Sequence, residues 1–98
     1  MEIDKKDWKL YLELLPKWQE KYMSQLMDKY LSLIKEDTHA SKKFWKLNEE
    51  IKKDRNTYGV RVEVKKGEMI NVIRWFINKK VIDKKELVGF SSSFIELL

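Results

Sequence analysis

The sequence predicts an all-α protein, a small helical bundle that residues 1–98 form as a single domain. Only one Pro and three Gly occur among 98 residues, too few for the closely spaced turns of an all-β protein. Aromatic residues make up 12% of the chain and include four Trp. These side chains supply the large buried areas that a disordered chain lacks, so we expect one folded core.

Residues 7–34 are predicted to form a long amphipathic helical segment, because apolar side chains recur three or four positions apart. The recurring residues are Trp8, Tyr11, Leu15, Trp18, Tyr22, Leu26, Tyr30 and Leu33. Pro16 lies inside this segment and has no backbone N–H group to donate. We therefore expect a Pro-broken segment, in which the first helix ends near Leu15 and a second begins at Pro16.

The next helix is expected to begin at a cap formed by Thr38 or Ser41 and to continue through Asn56. Gly59 suits the end of this helix or the turn just beyond it. Residues 60–65 alternate apolar and charged side chains, which is typical of a half-buried strand. The sequence shows no second strand to pair with it, and the same residues also fit a helix, the interpretation that we favour.

A buried helix is predicted at about 68–78, because this stretch is apolar nearly all the way round. Asp83 and Glu86 have the spacing of a capping box for a short helix that ends at Gly89. One serine among residues 91–93 can then cap a last helical turn.

The basic residues are concentrated in the second half of the chain. The sequence has 21 Lys and Arg against 16 Asp and Glu, a formal net charge of +5, and most of the excess lies in residues 52–85. Such a region is either a solvated surface or a sequence-independent contact with nucleic-acid phosphates. The candidate phosphate-contacting residues are Lys52, Lys53, Arg55, Arg61, Lys65, Lys66, Lys79 and Lys80.

A second candidate surface is apolar. The stripe on residues 16–36 is wide enough to contribute to the core and also to contact a second subunit. Trp45 lies off the stripe formed by its neighbour Phe44, in a basic setting where an exposed aromatic ring can anchor a protein partner. The candidate interface residues are Tyr22, Met23, Met27, Tyr30, Leu31 and Trp45.

No residue pattern indicates catalysis, a cofactor or a metal. The chain has no Cys and one His, His39, which leaves no disulfide, no thiolate nucleophile and no zinc motif. It also lacks a nucleophile elbow and a Gly-rich phosphate loop. No stretch has the ~20 apolar residues of a membrane helix, and the N-terminus lacks a signal-peptide pattern, so we expect a cytoplasmic protein with no membrane partner.

These observations favour a non-catalytic binding or regulatory protein that acts through protein–protein interaction or self-association, with a homodimer as one form. The alternative function is sequence-independent nucleic-acid binding through the basic region 52–85.

Several short strings are spread over most of the chain: residues 15–19 (LPKWQ), 41–45 (SKKFW), 50–54 (EIKKD), 59–60 (GV), 81–82 (VI) with Leu87, and 89–91 (GFS). Together they resemble a group of small uncharacterised bacterial proteins that automatic labelling sometimes calls "multidrug transporter". The resemblance implies a bacterial source and favours helix over strand at residues 60–67, and it brings no catalytic residues. Because no apolar stretch is long enough to span a membrane, we do not expect a transporter.

Overall fold

Residues 3–98 are described here from a computed structural model, and they are arranged as four α-helices with two short 3₁₀ turns. The helices are α1 (Lys5–Ile34), α2 (Ala40–Asp54), α3 (Met69–Asn78) and α4 (Ser92–Ile95). The 3₁₀ turns are Lys66–Glu68 and Lys84–Leu87. The predicted all-α class is confirmed. The molecule is elongated, with principal extents of 52 × 24 × 19 Å, and α1 accounts for about 45 Å of its length at 1.5 Å per residue.

The expected break at Pro16 is wrong, because α1 is one uninterrupted helix of 30 residues that contains Pro16. Because Pro16 has no backbone N–H, the Leu12 carbonyl lacks its hydrogen-bond donor within the helix. Both residues lie on the exposed side of the helix, where water can donate to this carbonyl instead. On the opposite side Tyr11, Leu15 and Trp18 are buried against the core. Packing therefore keeps the helix continuous through a local defect.

The core lies between the buried stripe of α1 and the predicted buried helix, α3, which the structure confirms. Met69, Val72, Ile73 and Phe76 of α3 are completely buried, and the Phe76 ring lies 5.8 Å from that of Trp18. Residues of the C-terminal segment close this core, and they are Val81, Ile82, Leu87, Phe90 and Phe94.

The connection between α2 and α3 differs from the expectation. α2 begins at Ala40, with neither Thr38 nor Ser41 as its cap, and ends at Asp54 rather than Asn56. The helix favoured over 60–67 is also wrong: residues 61–65 are irregular, and a 3₁₀ turn follows. Val60 and Val62 pack against the core, which explains part of the alternating pattern without a sheet, whereas Val64 is exposed.

The C-terminal segment is attached to the start of α1 by a buried carboxylate. Asp7, only 3% exposed, accepts hydrogen bonds from the Ser91 backbone N–H at 2.8 Å and from the Ser91 hydroxyl at 2.6 Å. Ser91 in turn caps α4. The predicted capping box at Asp83 and Glu86 is present before the second 3₁₀ turn. Between residues 3 and 98, no helix has both the length and the apolar character needed to cross a membrane.

Candidate interaction surface on the α1–α2 hairpin

Polar contacts attach α2 to the C-terminal part of α1. Asp54 is the one buried residue of α2, and its carboxylate accepts hydrogen bonds from the Tyr30 hydroxyl and from Lys29 Nζ at 2.9 Å. Lys29 Nζ also lies 3.1 Å from a Glu50 carboxylate oxygen. At the other end of α2, Lys43 Nζ donates to the Ile34 carbonyl, 2.8 Å away. We call Lys29, Tyr30 and Asp54 the latch.

The electrostatics of the latch keep both of its charges at neutral pH. Burial alone raises the pKa of Asp54, but the hydrogen bonds from Tyr30 and Lys29 outweigh that effect and hold the pKa below its ordinary value of 3.8. The hydrogen bond to Asp54 raises the pKa of Lys29 above 10.5, although its burial acts in the opposite direction. Burial, followed by the same carboxylate, raises the pKa of Tyr30. The latch therefore joins an ionised carboxylate to a protonated ammonium group and a protonated phenol.

The hairpin of α1 and α2 exposes most of the molecule's large apolar surface. Six of the ten exposed large apolar side chains among residues 3–98 lie on the C-terminal part of α1 and on α2: Met27, Leu31, Ile34, Phe44, Trp45 and Ile51. We call these six the hairpin surface. Phe44 and Trp45 are each 63% exposed, and their rings meet edge to face at 5.0 Å. Large exposed apolar patches of this kind mark interaction sites.

The apolar residues of the two helices meet in a shallow cavity. Met27 of α1 and Ile51 of α2 both line a cavity of about 120 Å³ above Leu26 and Tyr30. On α1, Leu31 and Ile34 follow Met27 at helical spacing, and on α2 Phe44 lies two turns before Ile51, so the exposed stripes run on from the cavity. The hairpin surface is therefore continuous across both helices.

The residues predicted as a protein interface are divided between this surface and the core. Met27, Leu31 and Trp45 belong to the hairpin surface, and Met23 is half-buried beside the cavity. Tyr22 and Tyr30 are buried in the core, with 8% and 7% exposure.

Sequence reasoning missed Ile34, Phe44 and Ile51 as members of the hairpin surface. Phe44 and Ile51 lie two turns apart on one face of α2, a spacing from which a buried stripe is expected. The signal against that expectation is the composition of α2, since eight of its 15 residues are charged. Such a helix has little apolar surface to bury.

All eight residues predicted to contact nucleic acid are exposed, but they do not form one cluster. Lys66 lies 5.8 Å from the ring centre of Trp8, near the start of α1. Lys53 adjoins Asp54, which contacts Lys29 near the other end of that helix. The 21 helical steps from Trp8 to Lys29 span about 30 Å, so the cations are spread along the molecule.

His39 is exposed at the start of α2. Across residues 3–98 no three His, Cys, Asp or Glu side chains come together as a group that can hold a metal ion. No protein-family model matches this chain, and neither a curated protein nor a solved structure matches it.

Proposed function

We propose that this is a non-catalytic binding or regulatory protein that acts through protein–protein contact, and that a second copy of the chain occupies the hairpin surface. The observation that carries the proposal is the concentration of exposed large apolar side chains on α1 and α2. The proposal includes that the protein is cytoplasmic and bacterial, which fits a chain without cysteine.

The exposed area supports a specific contact. At 40–63% exposure, the six side chains of the hairpin surface present on the order of 600 Å² of apolar area, which is at the upper limit for the largest patch of a typical monomer. A standard interface buries about 800 Å² per partner. The hairpin surface and its polar rim therefore supply what a small dimer needs.

The charges of the hairpin favour a second copy as the partner. Residues 27–54 contain seven basic and six acidic side chains, a near balance, whereas residues 52–85 contain eleven basic and four acidic side chains. In a symmetric dimer each patch faces itself, so a balanced patch avoids the like-charge repulsion that the basic region produces.

The test is the solution mass by light scattering across a range of protein concentrations. The wild type should dimerise, and the double variant Met27→Glu with Leu31→Glu should remain monomeric, because each substitution places a charge in a desolvated contact. Val88→Glu is the matched control, since Val88 is 85% exposed outside the hairpin, and it should dimerise like the wild type. A wild type that stays monomeric at every concentration contradicts the second copy, and circular dichroism checks that each variant is folded.

Sequence-independent nucleic-acid binding is the second candidate function. Its support is that seven of the eight candidate cations form no ion pair among residues 3–98. The exception is Lys65, whose Nζ lies 2.8 Å from a Glu63 carboxylate oxygen. Generic single- and double-stranded oligonucleotides at low and moderate salt test it, because phosphate contacts weaken steeply as salt rises. Changing residues 65, 66, 79 and 80 to Glu should abolish such binding, and no binding at low salt excludes it.

A further inference from the structure

A cleft that shares no residue with the hairpin surface brings unpaired cations next to apolar side chains. It has a volume of about 600 Å³ and lies between the middle of α1 and the segment that follows α3. Lys21, Lys80 and Lys84 line it together with three apolar side chains, Ile77, Val81 and Ile82. Its volume is within the range of small-molecule sites.

The backbone at Lys80 has a conformation that L-residues rarely adopt. Lys80 has φ 59°, the one positive value at a non-glycine residue between residues 3 and 98. It occupies the position after α3 where glycine is usual, in a motif closed by the Lys80 N–H on the Ile77 carbonyl and the Val81 N–H on the Phe76 carbonyl, both at 3.0 Å. A lysine costs free energy here that glycine does not, and such strain is often found at ligand sites.

The acidic residues of the cleft form no ion pair with its lysines, and three Lys against two acidic side chains leave the lining with a net charge of +1. Asp83 and Glu86 also line it, but Asp83 accepts the Lys85 N–H at 3.1 Å and Glu86 accepts the Asp83 N–H at 2.6 Å. In the described part of the chain, Lys21, Lys80 and Lys84 take part in no ion pair. Their three ammonium groups are thus available to an anionic ligand.

We propose that this cleft binds a small organic polyphosphate of about nucleotide size. The phosphate oxygens accept charge-assisted hydrogen bonds from Lys21, Lys80 and Lys84. The organic part of the ligand packs against Ile77, the partly exposed apolar residue of the lining. This site is separate from the hairpin surface and does not depend on dimerisation.

Isothermal titration calorimetry at low salt, with ATP and adenosine as probes, tests the proposal. ATP should bind and adenosine should not. Lys21→Gln with Lys84→Gln should weaken ATP binding by about tenfold or more. Lys79→Gln with Lys85→Gln is the matched control, because it removes the same charge from residues outside the cleft lining, and it should change the affinity by less than about twofold.

Lys80→Gly removes both the charge of Lys80 and the strain of its backbone, and two different measurements report these effects. It should weaken ATP binding while raising the midpoint of thermal unfolding, because glycine adopts the left-handed conformation without penalty. Equal losses of ATP binding in the cleft and control double variants would overturn the proposal and assign the binding to net charge. Absence of ATP binding to the wild type, or tighter binding of an oligonucleotide that the cleft variants leave unchanged, would also overturn it.

Discussion

Replacing Asp54 with alanine should loosen α2 from α1, and the structure allows the size of the effect to be estimated. The substitution leaves the Tyr30 hydroxyl buried without an acceptor, which costs about 1–3 kcal/mol. Lys29 adds less than about 1 kcal/mol, because its side chain is 44% exposed and water screens such pairs. We expect the free energy of unfolding to fall by about 2–3 kcal/mol.

Urea denaturation followed by tryptophan fluorescence measures this loss. Asp37→Ala is the matched control, because it removes the same charge from an exposed residue between α1 and α2, and it should stay within about 0.5 kcal/mol of the wild type. Tyr30→Phe combined with Asp54→Ala should cost less than the sum of the single changes, since the unpaired hydroxyl is then absent. If Asp54→Ala also stays within about 0.5 kcal/mol, the latch does not hold α2.

The pH dependence of stability follows from the direction of each pKa shift. The pKa of Asp54 is below its ordinary value of 3.8, so its contribution is complete above that value and is lost as the pH falls through the lower folded pKa. The pKa of Lys29 is above 10.5, so its contribution is complete below that value and is lost as the pH rises through the higher folded pKa. Asp54→Ala should therefore flatten the acid limb of the stability profile.

Two further pairs of substitutions test the packing of the core and the attachment of the C-terminal segment to α1. Gly59→Ala should destabilise the fold by about 1–3 kcal/mol in the same assay, because a Cβ there meets the ring of Tyr22 at 2.1 Å, whereas Gly67→Ala meets nothing within 4 Å and should be tolerated. Asp7→Ala should cost about 1–3 kcal/mol by leaving two Ser91 donors without their acceptor, and Ser91→Ala should cost less because its backbone bond to Asp7 remains.

The core was predictable where local pattern and packing agree. The spacing of apolar residues predicted the buried stripe of α1, and from Tyr11 to Leu33 all seven of its predicted members are buried. The prediction at Pro16 was wrong because it considered only the hydrogen bond that proline removes from its own helix. The packing of Leu15 and Trp18 against residues distant in the sequence stabilises the helix at this point. The contact between Asp7 and Ser91 has no local sequence signal at all, because 84 residues separate the partners.

The candidate surface was only partly predictable, because exposure depends on which element covers a stripe. Apolar spacing placed Leu26 and Met27 on one wide face, yet Leu26 is 5% exposed and Met27 is 52% exposed. Leu26 belongs to the core, whereas Met27 lies at the cavity that α1 forms with α2. The spacing of apolar residues within α1 does not predict where α2 packs, because the latch joins residues about 25 positions apart.

The lengths of the helices explain why the latch and the hairpin surface are coupled. α3 has ten residues and covers about 15 Å of an α1 that is about 45 Å long, so the C-terminal part of α1 depends on the charged helix α2 for cover. The hairpin surface exists only while α2 stays in place. Asp54→Ala should therefore weaken self-association as well as stability, although Asp54 is buried and lies outside the hairpin surface. Light scattering that shows unchanged dimerisation of this variant would mean that α1 alone forms the contact.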